Sequence, residues 1–429
     1  MSEITHELLT RFLRYVNIPS QSRAGAATVP STSSQWNMAR LLEAELELLD
    51  LEDVHLSDHC VLTGYLPANL PKSFTGSVPK IGFCCHLDTV DVNLSPTIHP
   101  HLVKGYPGGD VILNEAKHLI MKASDHPELA THVGEDIVFT DGTSVLGADN
   151  KAALANVMTL LHTLSTHPEI PHGAIYIAFV PDEEVGLKGS KSLELDRFPV
   201  DFAYTIDSCE VGEVVYETFN AGAATVTIQG ISAHPMNAKG RLVNPTLLAV
   251  DFANFFDRKE TPECTEDKEG YIWIKSIQSN ATQAVVQLAI RDHHKAGYEA
   301  KKEAIRQNVQ RLLQQEPRAK VTCTLEDIYG NIADAMTPKN RKAVDILYEA
   351  LDDLGIQPHT IAMRGGTDGS FLSTRGIFTP NYFTGGLNFH SPYECLPLPS
   401  LEKAYHVSLK IVEKVVENGA RPQKNCILP

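Results

Sequence analysis

Hydrophobic positions in this chain follow two rhythms. Runs such as "IYIAFV" (Ile175 to Val180) and "KIGFCC" are almost continuously apolar, the pattern of strands buried on both faces. Between such runs, apolar residues recur at helical spacing. Ile4, Leu8, Leu9, Phe12, Leu13 and Val16 do so near the start, and Ala152, Ala155, Val157, Leu160, Leu161 and Leu164 do so within "DNKAALANVMTLLHTLSTH". "FAYTIDS" predicts a further buried strand. Up to about Glu217 strands and helices alternate, which predicts an α/β fold with a mostly parallel central sheet covered by helices.

From Ala221 the rhythm changes. "AGAATVTIQGIS" reads as a strand, and "NPTLLAVDFANFFDR" as a helix with Pro245 near its start. "GYIWIKSIQ" and "QAVVQLAIRDH" read as paired strands, "YEAKKEAIRQNVQRLLQQ" as a helix and "AKVTCTLEDIYG" as a closing strand. This β-α-β-β-α-β order is that of a ferredoxin-like α+β unit. After about Ile332 the alternation returns, with "RKAVDILYEALDDLG" and "TPNYFTGG". The expectation is a discontinuous catalytic domain, residues 1–217 and 332–429, around an inserted lid or dimerisation domain at 218–331.

Bulk properties sharpen this picture. A chain of 429 residues exceeds what one hydrophobic core usually serves. A formal charge of −16 argues against nucleic acid or an anionic membrane as partner. No apolar run is long enough to span a bilayer, and the opening stretch lacks the basic and apolar regions of a signal peptide. The eight cysteines are scattered, with no C-x-x-C pair, which suits reduced thiols. A cytoplasmic location is therefore expected.

Chemistry gathers where the predicted strands end. His86 and Asp88 follow "KIGFCC", Glu183 and Glu184 follow "IYIAFVPD", Asp207 ends "AYTID", and His390 follows "NYFTGGLNF". Asp149 opens the helix after "LG". Singly, each has a plainer explanation: Asp149 can cap a helix, and "PDEEVG" can be a solvated turn. Jointly they lie at one edge of an open α/β sheet, beyond the carboxyl ends of its strands, where ligands bind. Imidazoles and carboxylates meeting there need a positive charge among them. A metal ion supplies it, and two ions about 3.5–4 Å apart would share a carboxylate. Zinc suits such mixed ligands, and cobalt or manganese fit the same set, whereas calcium and magnesium prefer oxygen alone. Successive residues at a strand end point in different directions, so Glu184 can ligate while Glu183 faces a water. The chain has no G-x-S-x-G, H-E-x-x-H, P-loop or G-x-G-x-x-G motif.

"HLDT", "GADNKAA", "PDEEVG", "IDS", "SAHP", "MRGGTDG" and "FHSPYE" together resemble the dinuclear zinc peptidases that include aminoacylases and glutamate carboxypeptidases. "FTDGTSVLGADNKAA", "HPMNAKG" and "NYFTGGLNFHSPYE" resemble, within that superfamily, the peptidase T group of tripeptide aminopeptidases. The resemblance spans about Ile81 to Glu394. It implies a zinc-exopeptidase-like catalytic domain with two zinc ions per subunit, held by His86, Asp149, Glu184, Asp207 and His390, with Asp149 shared. It implies that Asp88 orients His86, that Glu183 is the general base and that the Asp149–Asn150 peptide bond is cis. His234 of "SAHP" matches the residue that steadies the oxyanion. Arg291 and Arg364 are candidates for gripping the substrate's terminal carboxylate. "DSCEVGEV" after Asp207 departs from the Gly-rich stretch usual in the group, close to where substrate binds.

The activity expected is release of the N-terminal residue from short peptides, tripeptides first. Its rivals are a dipeptidase, a carboxypeptidase or an N-acyl amino acid deacylase with the same ligands, and, from another class, a non-catalytic metal-binding protein. The inserted domain could also pair edge to edge with a second copy, giving a homodimer.

Overall fold

The computed structural model describes residues 1–420; residues 421–429, the tail of the expected catalytic domain, lie outside the described residues. Its strands begin where the apolar runs predict. Ile81–His86 and Ile175–Val180 are each buried along their whole length and pair in parallel, from Ile81 opposite Ile175 to His86 opposite Val180. Phe202–Ser208 joins the other side of Ile81–His86, and Asn381–Phe383 follows it, again in parallel.

These four strands form the centre of an eight-stranded sheet. On one flank Leu62–Leu66 runs antiparallel to this centre and Glu52–Leu56 antiparallel to Leu62–Leu66; on the other Glu213–Thr218 is antiparallel, with His359–Met363 outermost. The sheet is therefore mixed, with its parallel part at the centre. The five residues between Leu56 and Leu62 are too few for a crossover, so those strands must reverse. The helix Ala148–Thr166 is buried nearly all round, which is why its apolar residues are not confined to one stripe. A three-stranded sheet (His101–Val103, Ile137–Phe139, Cys395–Pro397) has its own small core around Tyr106, Leu113, Met121 and Phe139.

The chain divides into two compact units. The first comprises Met1–Tyr216, Met336–Ile361 and the described residues from Thr367 on; the second comprises Glu217–Ala335 and Ala362–Gly366. In the second, four antiparallel strands lie in the order Tyr271–Ser279, Gln283–Asp292, Asn220–Gln229, Lys320–Tyr329. Counted along the chain this is second, third, first, fourth, the ferredoxin-like arrangement. Helices Pro245–Ala253 and Lys295–Gln315 pack on this sheet through Ala249, Phe252, Ile305 and Leu312 against Val226, Ile228, Val286 and Leu288. Asn244 starts the shorter helix, its side-chain oxygen accepting the amides of Thr246 and Leu247. Among the described residues no helix is long and apolar enough to cross a membrane.

Candidate metal centre

Parallel strands deliver their carboxyl ends to one edge, and the first unit uses this to assemble a ring of side chains. His86 is the last residue of its strand, Asp207 the last but one of its own, and Glu184 follows the Ile175–Val180 strand. Asp149 opens the long helix, and His390 lies in the loop after Asn381–Phe383. His86 Nε2 lies 2.8 Å from Asp149 Oδ1, and His390 Nε2 lies 3.1 Å from Asp149 Oδ2. Asp149 thus turns one oxygen to each of two imidazoles. His390 Nε2 is also 2.9 Å from Glu184 Oε1, and His86 Nε2 is 3.7 Å from Asp207 Oδ1. Ligand atoms of His86, Asp149 and Glu184 all lie within 4.8 Å of one another.

Surrounding groups hold this ring in place. His86 Nδ1 is 2.9 Å from the Asp88 backbone carbonyl, and 3.5 Å from the Asp88 carboxylate. Donation to that carbonyl leaves Nε2 facing the ring. The buried Asp88 carboxylate accepts the backbone N–H groups of Glu183 and Glu184. Asp182 turns away from both, its carboxylate accepting Ser31 N at 2.6 Å and Gln35 Nε2 at 2.7 Å. Two of the three adjacent acids therefore turn to different partners, Asp182 to Ser31 and Gln35 and Glu184 to His390. The Asp149–Asn150 peptide bond is cis. Asn150 Nδ2 donates to Ile206 O and Asp207 Oδ1, tying the helix start to the neighbouring strand end.

Electrostatics show what the ring lacks. Burial opposes a charge on His86, yet hydrogen bonds to Asp149, Asp207 and Asp88 outweigh it and raise its pKa. His390 is pushed up to about 11, Asp149 and Glu184 overcoming its burial. Burial and the charge of Asp149 push Glu184 to about 8 and Asp207 to about 6. Burial raises Asp149 as well, but the two imidazoles win and hold it below the ordinary carboxylate range. Burial, then the charge of Asp207, lifts Glu183 well above the usual value. Without another cation the ring collects protons, the behaviour of a ligand set that exchanges protons for metal. Its mixed nitrogen and oxygen donors fit a zinc-like ion better than calcium or magnesium.

The other expected site residues belong to the second unit. His234 is exposed and its Nδ1 accepts the Met236 N–H at 3.2 Å. Arg291 Nη1 donates to Gly222 O and Ile290 O, and the guanidinium lies over the Tyr329 ring. Arg364 donates to Asp267 O, Glu269 O and Thr265 Oγ1, and its guanidinium lies over the rings of Phe219 and Tyr271. One residue not singled out in the sequence stands behind the ring. Glu394, the last letter of "FHSPYE", is fully buried and accepts the backbone N–H groups of Leu146, Gly147 and Asp149. Only its place four residues after His390 pointed to it.

Residues 147–414 match the model of peptidase family M20/M25/M40. The chain is 47% identical to a peptidase T-like protein of Yersinia pestis, across 95% of this chain and 97% of that one. It is 40% identical to peptidase T of Geobacillus kaustophilus, across 95% and 98%. Its fold is similar to that of the aminopeptidase PepT from Bacillus cereus, with a TM-score of 0.73 and 21% identity over 96% of this chain and 98% of the other.

Proposed function

This chain belongs to peptidase family M20/M25/M40 and is a metallopeptidase, and we propose that it removes the N-terminal residue from short peptides, tripeptides above all. The observation that carries the dinuclear reading is Asp149, with one oxygen toward His86 and the other toward His390. The proposed ligands are His86, Asp149, Glu184, Asp207 and His390, the proposed metal is zinc, two ions per chain, and cobalt or manganese suit the same donors. Such ions, when bound, bring the pKa of a water toward neutrality and polarise a carbonyl.

The chain's own residues do the rest. Glu183 is the proposed general base: it is buried, seated by Asp88 through its backbone and free of the imidazole contacts that occupy Glu184. It takes the proton of the attacking water and delivers it to the leaving amine. His234 is the proposed oxyanion donor. Its Nδ1 accepts a backbone N–H, so the neutral ring carries its proton on Nε2, the tautomer a donor needs. Arg291 is the proposed grip on the peptide carboxylate, and Arg364 a second candidate. The proposed location is cytoplasmic. A proposed homodimer would pair through an edge of the second unit's sheet, whose outer strands are Tyr271–Ser279 and Lys320–Tyr329.

The test compares an unblocked tripeptide with its N-acetylated form, the matching dipeptide and a tetrapeptide, each with zinc and with chelator. Metal-dependent release of the first residue from the tripeptide is expected. Preference for the acetylated peptide would make the protein a deacylase; preference for the dipeptide, a dipeptidase.

A further inference from the structure

The helix that carries Asp149 starts without a cap of its own. Its first flanking residue, Gly147, has a φ of 75° and no side chain to receive the amides that a helix start leaves unpaired. Glu394 receives one of them, that of Asp149, together with the two amides just before the helix. Its Oε2 accepts Leu146 N at 2.6 Å and Gly147 N at 2.9 Å, and its Oε1 accepts Asp149 N at 3.2 Å.

Glu394 is itself firmly placed. It is 1% exposed, its carbonyl accepts the Thr140 N–H, and it leads into the strand Cys395–Pro397, paired with Ile137–Phe139. It lies four residues beyond His390 on the same loop. One buried side chain therefore joins the loop bearing one imidazole to the backbone of the carboxylate that both imidazoles face, 245 residues away in sequence. We propose that Glu394 is a positioning residue for the metal centre, setting the backbone of Asp149 so that its two oxygens address two ions. This inference rests on reading the ring as a dinuclear metal site.

Glu394→Gln keeps the shape but provides one acceptor oxygen. With that oxygen on Leu146 and Gly147, its amide N–H₂ faces the Asp149 N–H, donor against donor. Cobalt titration followed by visible absorption tests the consequence, with hydrogen exchange of the metal-free proteins alongside. Wild type should bind two cobalt ions. The variant should bind at least one of them about 10- to 100-fold more weakly, with an altered absorption band, and its segment around 146–149 should exchange faster. Two ions bound by the variant with unchanged affinity and absorption would overturn the proposal, whatever happened to its melting temperature. Failure of wild type to bind any ion would instead overturn the metal-centre reading beneath it. Should the Gln variant not fold, Glu394→Asp is judged by the same criteria.

Discussion

Asp88 seats Glu183: its Oδ1 accepts the Glu183 backbone N–H at 3.0 Å, and its Oδ2 accepts the next amide, that of Glu184, at 3.3 Å. One buried carboxylate thereby fixes the two residues that the site uses in different ways. The resemblance gave Asp88 the task of orienting His86, yet the shorter contact to that ring comes from the Asp88 carbonyl. Asp88→Asn puts an amide donor against one of the two N–H groups. Turnover should fall about 10- to 100-fold, with weaker metal retention on dialysis. Wild-type kcat and metal content in this variant would remove Asp88 from the machinery.

Glu183→Gln should separate chemistry from binding. Glu183 makes no contact with His86 or His390 among the described hydrogen bonds, so the ring stays complete without its charge. Metal content should match wild type while kcat drops about 10²- to 10⁴-fold and KM changes little. A variant that lost its metal together with its activity would make Glu183 a ligand rather than the base.

Metal uptake should release protons. In the metal-free protein His390 is held up to about 11 and Glu184 near 8, so near pH 7 both hold protons that ligation must displace, and His86 is shifted in the same direction. Because the protonated forms dominate below these values, apparent metal affinity should fall as pH is lowered from about 8 to 6. Calorimetric titration in buffers of different ionisation enthalpy measures the count directly. At least one proton per chain is expected; heats independent of buffer would contradict the electrostatics.

The two arginines should behave differently when each is replaced by methionine. Arg364 makes three hydrogen bonds to the 265–269 segment and lies over two rings, all within the second unit. Its loss should cost about 1 kcal/mol or more of stability. Arg291 makes fewer bonds, both through Nη1, and its replacement should show chiefly as a raised KM for peptides with a free carboxylate. Thermal melts and steady-state kinetics on both variants decide it; a large KM effect at Arg364 with unchanged stability would support its role in substrate binding.

Much of this arrangement was legible in the sequence because two simple signals coincide. Apolar runs mark the buried strands, and a His or acid just beyond each run marks the edge where those strands end, as at His86, Glu184 and Asp207. What stayed hidden depends on partners distant in the chain. Nothing near Asp182 announces that it faces Ser31 and Gln35, and nothing near Leu146 announces Glu394. Strands of three residues, such as His101–Val103 and Ile137–Phe139, are too short to show a period. The antiparallel flanks of the sheet were hidden for a related reason, since a continuous apolar run reports burial and not direction.

The most direct measurement is titration of the metal-free protein with zinc, following bound metal and tripeptide cleavage in the same samples. The site built around Asp149 predicts saturation at two ions per chain, with cleavage appearing only as they bind and lost in Asp149→Ala. Full cleavage by protein stripped of metal, or a chain that binds no zinc at all, would contradict it.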